Sequence, residues 1–403
     1  MPLSNSPSRY GGLTKTFHWL TALFILTALP LGLLAENAPF ADGDQLARKA
    51  MLFSLHKTVG IAAFFTALLR ILWALGQTRP GLLNADNRLE AFGAHLVHWL
   101  LYGAMLLVPL TGWIHHAATT GFAPILWPLG QDLPLVPKNE ALADITAMMH
   151  FTFMIVLSLS ILAHVGGALK HAVIDRDQTL QRMLPGTNTA PDPEPESPSR
   201  APLVSALVIW AGAVGIGITA GLGGVASDTD AAPATTLQAV ASGWQVQDGT
   251  LNLSVVQFGS AVDGQFTNWT AAITFDETVT SDKHGNVDVS IAIDSLTLGS
   301  VTDQALGPDF FDVTVHPVAT FKADILKSVT GAFVAEGVLT LKGASLPVTL
   351  PFDLTINGDT ATMQGQTTLN RLDFGIGANM PDESSLGFAV TVDISLVAER
   401  DKG

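Results

Sequence analysis

Two hydrophobic patterns divide this chain. The first part holds long apolar runs, each near the roughly 20 residues that a helix needs to cross a bilayer. These runs lie at 17–35, 51–75, 95–115, 147–171 and 203–226. Beyond about residue 232, apolar and polar residues alternate, as around Val287, Val289 and Ile291, and this period of two is typical of half-buried strands. The pattern predicts five membrane helices followed by a β domain.

Composition sets the predicted boundaries between these parts. The stretch 186–202 is rich in proline and acidic residues and has little to bury, which is typical of a linker. In the β domain, four positions are predicted to separate strands, and their turn chemistry suits hairpins. They are Asn252, Asp263-Gly264, His284-Gly285-Asn286 and Asn357-Gly358-Asp359. The predicted segments are a four-helix membrane domain at 1–185, a cytoplasmic linker at 186–202, a fifth transmembrane helix at 203–226, a flexible tether at 227–241 and an antiparallel barrel or sandwich at 242–403.

Basic residues indicate which helix ends face the cytoplasm, because lysine and arginine are enriched in cytoplasmic loops. They precede the first and fifth runs and follow the fourth, at Arg9, Lys15, Lys170, Arg176, Arg182 and Arg200. We therefore expect a cytoplasmic amino terminus and a periplasmic C-terminal domain. A cleaved signal peptide is the alternative for the first run, but that run is longer than a usual signal core and further spans follow it.

Charge is distributed unevenly along the chain. Residues 1–227 carry 13 basic and 13 acidic side chains, whereas 228–403 carry 7 and 22, so the net charge of −15 belongs to the last part. This balance argues against nucleic acid as a partner, because phosphates require a basic face. The chain has no cysteine, which excludes disulfides, thiolate zinc sites and cysteine-bound iron–sulfur clusters. Metal chemistry therefore falls to histidine, and nine of the eleven histidines precede residue 172.

Two of these histidines share one face of the fourth helix. His150 and His164 are 14 residues apart, which places them on the same side and about 21 Å apart along the axis. Ionisable groups inside a membrane are costly and usually have a partner in the bundle. Since successive helices run in opposite directions, His18 reaches the inner level with His164, and His56 reaches the outer level with His150. The arrangement predicts two haems, each held by two histidines and suited to one-electron transfer.

Other ionisable residues in the membrane part have two interpretations each. Arg70 lies 14 residues after His56, on the same face at the inner level, where it suits a haem propionate or serves as a snorkelling membrane anchor. Four further histidines lie at the two ends of the third run and are either interface residues or contacts to quinone or propionate. They are His95, His98, His115 and His116.

Several motifs in the membrane part have a family counterpart. They are R-Y-x6-F-H-W-L from Arg9, S-L-H-K-T-V-G from Ser54, A-H-L-V-H-W-L-L-Y from Ala94, and the H-x13-H of the fourth run followed by D-x-T-L-x-R-M-L-P from Asp177. Residues 9–185 thereby resemble the bacterial cytochrome b561 family of four-helix dihaem quinone oxidoreductases. The resemblance implies two haem b groups on the four paired histidines, electron exchange with ubiquinone and a place in the bacterial inner membrane. A superoxide-oxidising activity that reduces quinone is ascribed to some members.

The β domain carries motifs of a second family. They are G-Q-F-T-N-W from Gly264, D-F-F-D-V-x-x-x-P-x-x-T-F from Asp309, G-x-L-T-L-K-G-x-x-x-P-V from Gly337 and R-L-D-F-G-I-G from Arg371. They resemble the YceI-like family, which implies a lipocalin-like barrel that binds a long polyisoprenoid. The chain departs from the family near Asn252, where the usual histidine–serine pair is missing.

The interior of an eight-stranded barrel is filled by side chains or occupied by one slender ligand. Aromatic residues of the β domain therefore either line a ligand pocket or form a plain core. They are Phe258, Phe266, Trp269, Phe310, Phe311, Phe321 and Phe374.

Together these features predict an oxidoreductase. It is a multidomain membrane cytochrome that moves electrons to or from the ubiquinone pool, with a periplasmic barrel that binds quinone or another polyisoprenoid. Its expected partners are the lipid bilayer, the quinone or polyisoprenoid and a periplasmic redox partner. Two alternatives stay open: an isoprenoid carrier whose cytochrome part is an anchor or redox sensor, and a structural membrane protein without haem.

Overall fold

The structure is a computed structural model that describes residues 2–119, 123–126, 130, 132–186, 199–229, 235–237, 242–299, 301–327 and 332–401, the side chains of 224–229 excepted. The predicted linker at 186–202 and tether at 227–241 lie mostly outside these ranges. The described residues divide into a helical unit and a unit built mainly of β-strands.

Five of the described helices are long and apolar enough to cross a membrane. The first four are α1 (Gly12–Glu36), α2 (Gly43–Leu75), α3 (Arg88–Ala118) and α4 (Glu140–Lys170). After a π-helical turn (His171–Asp175) and the short helix α5 (Thr179–Met183), the fifth is α6 (Ala201–Thr229). Each of the five long helices begins before the apolar run that predicts it, because polar residues continue the helix beyond the segment that would cross the hydrocarbon core. The helices confirm the membrane part of the predicted fold class.

Asparagine side chains fix the starts of two of these helices. The Asn87 side chain accepts a hydrogen bond from Glu90 N at 3.3 Å before α3. The Asn139 side chain accepts one from Leu142 N at 2.8 Å before α4. Each bond satisfies one of the N–H groups that a helix leaves unpaired in its first turn. The two helices that carry most of the membrane histidines therefore have defined starting points.

The fifth long helix packs against the bundle at small residues. A Cβ on Gly217 of α6 would lie 2.9 Å from Met149 Cα of α4, so the two backbones approach closely. Trp210 of α6 fills the space over Gly103 of α3 and meets Phe153 edge-on, with ring centres 5.3 Å apart. Small residues let helices associate in lipid, where apolar side chains gain little by leaving the hydrocarbon. We infer that α6 belongs to the helical unit and is more than a connection to the β unit.

The β unit is a closed antiparallel barrel. Strands β1 and β10 pair with each other and close a ring in the order β1-β3-β4-β6-β7-β8-β9-β10, while β2 and β5 attach beside β1. Closure leaves no edge of the ring unpaired, and it confirms the predicted barrel. The strands are β1 (Trp244–Gln257), β2 (Ser260–Phe266), β3 (Trp269–Phe275), β4 (Lys283–Ala292), β5 (Leu296–Thr297), β6 (Val318–Lys327), β7 (Phe333–Leu341), β8 (Ala344–Asn357), β9 (Thr360–Asn370) and β10 (Leu386–Arg400).

Three of the four predicted turn positions are wrong, because Asn252 lies inside β1, Asp263-Gly264 inside β2 and His284-Gly285-Asn286 inside β4. Asn357-Gly358 does lie where β8 turns into β9, and Gly358 has a φ of 65°. Asp263-Gly264, however, lies inside β2, where Gly264 pairs with Leu253. A Cβ on Gly264 would lie 2.5 Å from Leu298 Cδ1, so this glycine serves a close approach instead of a turn. The β1–β2 turn falls at Phe258 and Gly259, with φ of 48° and 79°.

A buried arginine holds the segment between β9 and β10 in place. Arg371 is 3% exposed and donates hydrogen bonds to five backbone carbonyls. The acceptors are the carbonyls of Ile376, Gly377, Met380, Leu386 and Gly387. Burial lowers the pKa of Arg371, but a guanidinium stays charged in proteins. The carbonyl dipoles therefore offset the desolvation of the guanidinium. The hydrogen bonds connect the segment between β9 and β10 to the start of β10.

Replacing Arg371 by methionine should destabilise the barrel by about 3–5 kcal/mol, because it leaves five backbone carbonyls, four of them in buried hydrogen bonds, without their donor. Hydrogen exchange of the β9 and β10 amides in the full chain measures the loss. Lys322→Met is the control, since the Lys322 side chain is 69% exposed in its ion pair with Asp288 and should contribute less than about 1 kcal/mol. Equal protection in the two variants would contradict the role given to Arg371.

Candidate functional site: two histidine pairs and a barrel cavity

Two pairs of imidazoles lie inside the helical unit. The ring centres of His18 (α1) and His164 (α4) are 6.0 Å apart, and those of His56 (α2) and His150 (α4) are 6.2 Å apart. Helix α4 thus contributes one histidine to each pair. The structure brings together the same partners that the sequence analysis placed at an inner and an outer level.

Hydrogen bonds fix the protonation of the outer pair. His56 Nδ1 lies 2.8 Å from the Ala28 carbonyl oxygen, and His150 Nδ1 lies 2.8 Å from the Val108 carbonyl oxygen. A carbonyl oxygen only accepts, so each Nδ1 carries the proton and donates it. The other ring nitrogen, Nε2, is then left with a free lone pair in both histidines, which is the form that binds a metal.

A glycine makes room for each of these two bonds. Gly32 lies four residues after Ala28, and Gly112 lies four residues after Val108, one helical turn beyond each accepting carbonyl. A Cβ on Gly32 would lie 2.9 Å from the nearest His56 ring atom, and the same distance separates a Cβ on Gly112 from the His150 ring. The imidazoles therefore reach the backbone only because no side chain covers it at those positions.

The inner pair has different neighbours. Arg70 Nη2 lies 3.5 Å from His18 Nδ1, at the limit of a hydrogen bond. The Arg70 guanidinium also lies over the Tyr102 ring, 5.8 Å from its centre. The ring centre of His98 on α3 is 5.3 Å from that of His164. A cation and a third imidazole thus lie beside the inner pair, and residue His98 itself is exposed.

The spacing within each pair suits a metal shared by two imidazoles. A metal–nitrogen bond is about 2 Å long and the ring centre lies about 1 Å behind the nitrogen, so two rings on opposite sides of one metal have centres about 6 Å apart. The inner and outer pairs both have this spacing. The residues present therefore fit the predicted haems, the outer pair by spacing and protonation and the inner pair by spacing.

Sequence analysis missed a polar group beside the outer pair. Lys57 follows His56, and its Nζ donates to His116 Nδ1 at 3.2 Å. His116 is 4% exposed, and His115 Nδ1 lies 2.8 Å from the Ala143 carbonyl oxygen, to which it donates. Both histidines of this end of α3 are thus engaged inside the unit. The signal available in the sequence was a lysine, next to His56, within the predicted membrane run 51–75.

The barrel encloses a cavity of about 290 Å³. Six of the seven aromatic residues proposed from the sequence line it, namely Phe266, Trp269, Phe310, Phe311, Phe321 and Phe374. The seventh, Phe258, does not, because it lies in the β1–β2 turn and packs half-buried beside the core. Lining residues that the sequence analysis missed include Trp244, Gln257 and Met363. The wall is apolar except at a few positions, so the cavity suits a hydrocarbon-rich ligand.

Replacing Gly112 by valine should displace the His150 imidazole, because even a Cβ at this position would lie 2.9 Å from the ring. If the outer pair holds a haem, haem content per protein then falls to about half. Gly60→Val is the matched control in a neighbouring helix, since a Cβ there meets nothing within 4 Å. The haem content of the two purified variants is measured from the haem absorbance. Full haem content in Gly112→Val would contradict the space-filling role of this glycine.

Comparison with known proteins follows the same division of the chain. Residues 9–186 match the family of prokaryotic cytochrome b561. Cytochrome b561 homolog 2 of Escherichia coli (strain K12) is 32% identical over 188 residues, which are 46% of this chain and 95% of that protein. The probable superoxide oxidase CybB of Yersinia pestis is 26% identical over 178 residues, which are 44% of this chain and 96% of that protein.

The β unit matches a second family. Residues 244–398 match the YceI-like domain. The crystal structure of Burkholderia cenocepacia BcnA shares 28% identity, covers 37% of this chain and 95% of its own, and has a TM-score of 0.35. With both resemblances confirmed, the chain belongs to the cytochrome b561 family through its membrane part and carries a YceI-like domain after it.

Proposed function

We propose that this protein is a dihaem b-type cytochrome of the bacterial inner membrane that transfers electrons to or from the ubiquinone pool, with a periplasmic barrel that binds quinone or another polyisoprenoid. The observation that carries the proposal is the presence of two imidazole pairs, both with the spacing of a shared metal, on helices of a family whose members hold haem b. Two metal positions in one bundle provide a path for single electrons.

Each histidine has a defined task in this proposal. His18 and His164 would hold the inner haem, and His56 and His150 the outer one. A haem with two histidine ligands supplies one-electron transfer and has no open position for oxygen. The Ala28 and Val108 carbonyls orient the outer imidazoles and raise their basicity by accepting the Nδ1 protons. Arg70, beside His18, offers a cation to a propionate at the inner level.

The name of one relative suggests a specific electron donor. Oxidation of two superoxide anions to two molecules of oxygen releases two electrons, and one quinone takes up these two electrons and two protons to give the hydroquinone. A site that passes electrons singly is needed because each superoxide supplies one. We propose superoxide oxidation coupled to quinone reduction as one reaction of this chain, on the ground of its similarity to the probable superoxide oxidase of Yersinia pestis.

The barrel gives the proposal its second part. A largely apolar cavity of about 290 Å³ suits part of an isoprenoid chain. The alternative function, an isoprenoid carrier whose cytochrome part is an anchor or redox sensor, uses the same cavity. The two are distinguished by adding a short-tailed hydroquinone to the purified full chain without oxygen. A rapid change of the absorbance to that of reduced haem supports the cytochrome function, whereas unchanged absorbance favours the carrier.

Replacing His164 by alanine should remove the inner haem and leave the outer one, because His150 lies about 21 Å away along the same helix. Haem per protein, measured spectroscopically, falls from two to one. His171→Ala is the control, since His171 pairs with Asp177 and with neither histidine pair, and it should keep both haems. Loss of both haems from a folded His164→Ala protein, or of neither, would refute the pairing.

The proposed orientation predicts which side of the membrane the barrel faces. A cysteine introduced in place of Lys342, in a chain that has no other cysteine, should react with a thiol reagent that does not cross the inner membrane. A cysteine in place of Arg79, between α2 and α3, should be protected until the membrane is opened. Protection of position 342 in intact spheroplasts would show that the topology is wrong.

A further inference from the structure

A stretch of the chain that includes the start of α2 is buried within the β unit. Residues 38–50 belong to the unit that contains the β-strands, although they are distant from the barrel in the sequence. Leu46 is 1% exposed and lies in the same hydrophobic cluster as Leu296 and Met380 of that unit. Connecting segments usually run over the surface. A fully buried leucine in such a segment therefore requires a partner surface, and the barrel supplies it.

Hydrogen bonds within residues 38–50 hold this stretch in shape. Asp42 caps α2, since its side chain accepts a hydrogen bond from Gln45 N at 2.8 Å and its carbonyl accepts one from Leu46 N at 2.9 Å. Lys49 Nζ donates to the Ala38 carbonyl at 3.1 Å, which ties the residues before α2 to its second turn. Leu46 is therefore presented in a direction that the stretch itself defines.

The barrel contributes a polar contact from the segment that Arg371 holds in place. Asn379 Nδ2 donates a hydrogen bond to the Ala41 carbonyl at 2.7 Å. Asn379 lies between Gly377 and Met380, whose carbonyls both accept hydrogen bonds from Arg371, so its backbone is held on both sides. The Asn379 Oδ1 is buried without a hydrogen-bond partner among the described residues. The bond to Ala41 is therefore the interaction that this side chain makes.

The contact joins one apolar and one polar group, and the two together fix its geometry. A carbonyl oxygen only accepts and an amide nitrogen only donates, so the bond between Ala41 and Asn379 sets the position in which Leu46 is buried. A contact of this size would be weak between separate molecules. Within one chain its two sides meet at an effective concentration of about millimolar, which makes a weak contact sufficient.

We propose that residues 38–50 are a docking segment for the barrel, in which Leu46 is the apolar contact and the Ala41 carbonyl accepts the hydrogen bond of Asn379. The barrel is then held by the chain at two points, covalently through the residues after α6 and by this contact at the start of α2, the helix that carries His56. The docking surface is a property of this chain's own residues and does not depend on what the barrel binds.

The test measures the reactivity of a single thiol, because the chain has no cysteine of its own. Leu46→Cys in the full chain, purified in detergent, should react with a water-soluble maleimide about tenfold more slowly than Arg48→Cys, since residue 46 is buried and residue 48 is exposed. Adding Asn379→Ala to Leu46→Cys should raise the rate about fivefold, the effect of one hydrogen bond. Adding Asn286→Ala instead, at an exposed position of β4, is the matched control and should leave the rate unchanged.

A second variant loosens the docking segment without changing the barrel. Adding Asp42→Ala to Leu46→Cys removes the cap at the start of α2 and should raise the rate about fivefold. Hydrogen exchange of the β10 amides should stay unchanged in this variant, because no barrel residue is altered.

Three results would overturn the docking. The first is a thiol at position 46 that reacts as fast as one at position 48. The second is a rate that Asn379→Ala raises no more than Asn286→Ala does, because a surface other than the barrel then buries residue 46. If Asn379→Ala also lowers the hydrogen-exchange protection of the β10 amides, Asp42→Ala decides the question, and an unchanged thiol rate in that variant is the third.

Discussion

A polar side chain inside hydrocarbon needs a fixed hydrogen-bond partner, and the membrane part of this protein depends on how that requirement is met for its histidines. His56 and His150 donate to backbone carbonyls of neighbouring helices. Those carbonyls already belong to helical ladders, so the imidazoles reach them only where the residue one turn later has no side chain. The bonds orient each ring and leave Nε2 free. Orientation and protonation are thus both set by backbone geometry.

Apolar side chains face outward in the helical unit and inward in the barrel. In the helical unit, leucines such as Leu23, Leu69 and Leu162 are exposed on the outside, as lipid-facing residues must be. In the barrel, the apolar side chains of alternate strand positions point inward, and the outer surface carries ion pairs such as Lys322 with Asp288. Apolar side chains therefore form the outer surface of the membrane domain and the wall of the cavity in the barrel.

An arginine lies in an apolar setting in each unit, but the surroundings of the two guanidinium groups differ. Arg70 remains beside His18 with an aromatic ring under it, and its guanidinium is available to an anionic group at the inner level. Arg371 has all five donors engaged by carbonyls and acts as part of the framework. An arginine in an apolar setting is therefore a binding group or a structural tie according to how many of its donors the backbone has taken.

The sequence by itself determined the five long helices, the antiparallel β domain and the partners within each histidine pair, while the family resemblance implied that the β domain is a barrel. The first three follow from a period or a spacing along one chain: the length of an apolar run, alternation in strands, or 14 residues between His150 and His164. Only the tertiary structure decided which residues meet across elements. It showed that Gly32 and Gly112 admit imidazoles, that Gly264 admits Leu298 instead of making a turn, and that Phe258 stays outside the cavity wall. The burial of Leu46 belongs to the same class, because whether a side chain is covered depends on residues distant in the sequence that local patterns do not specify.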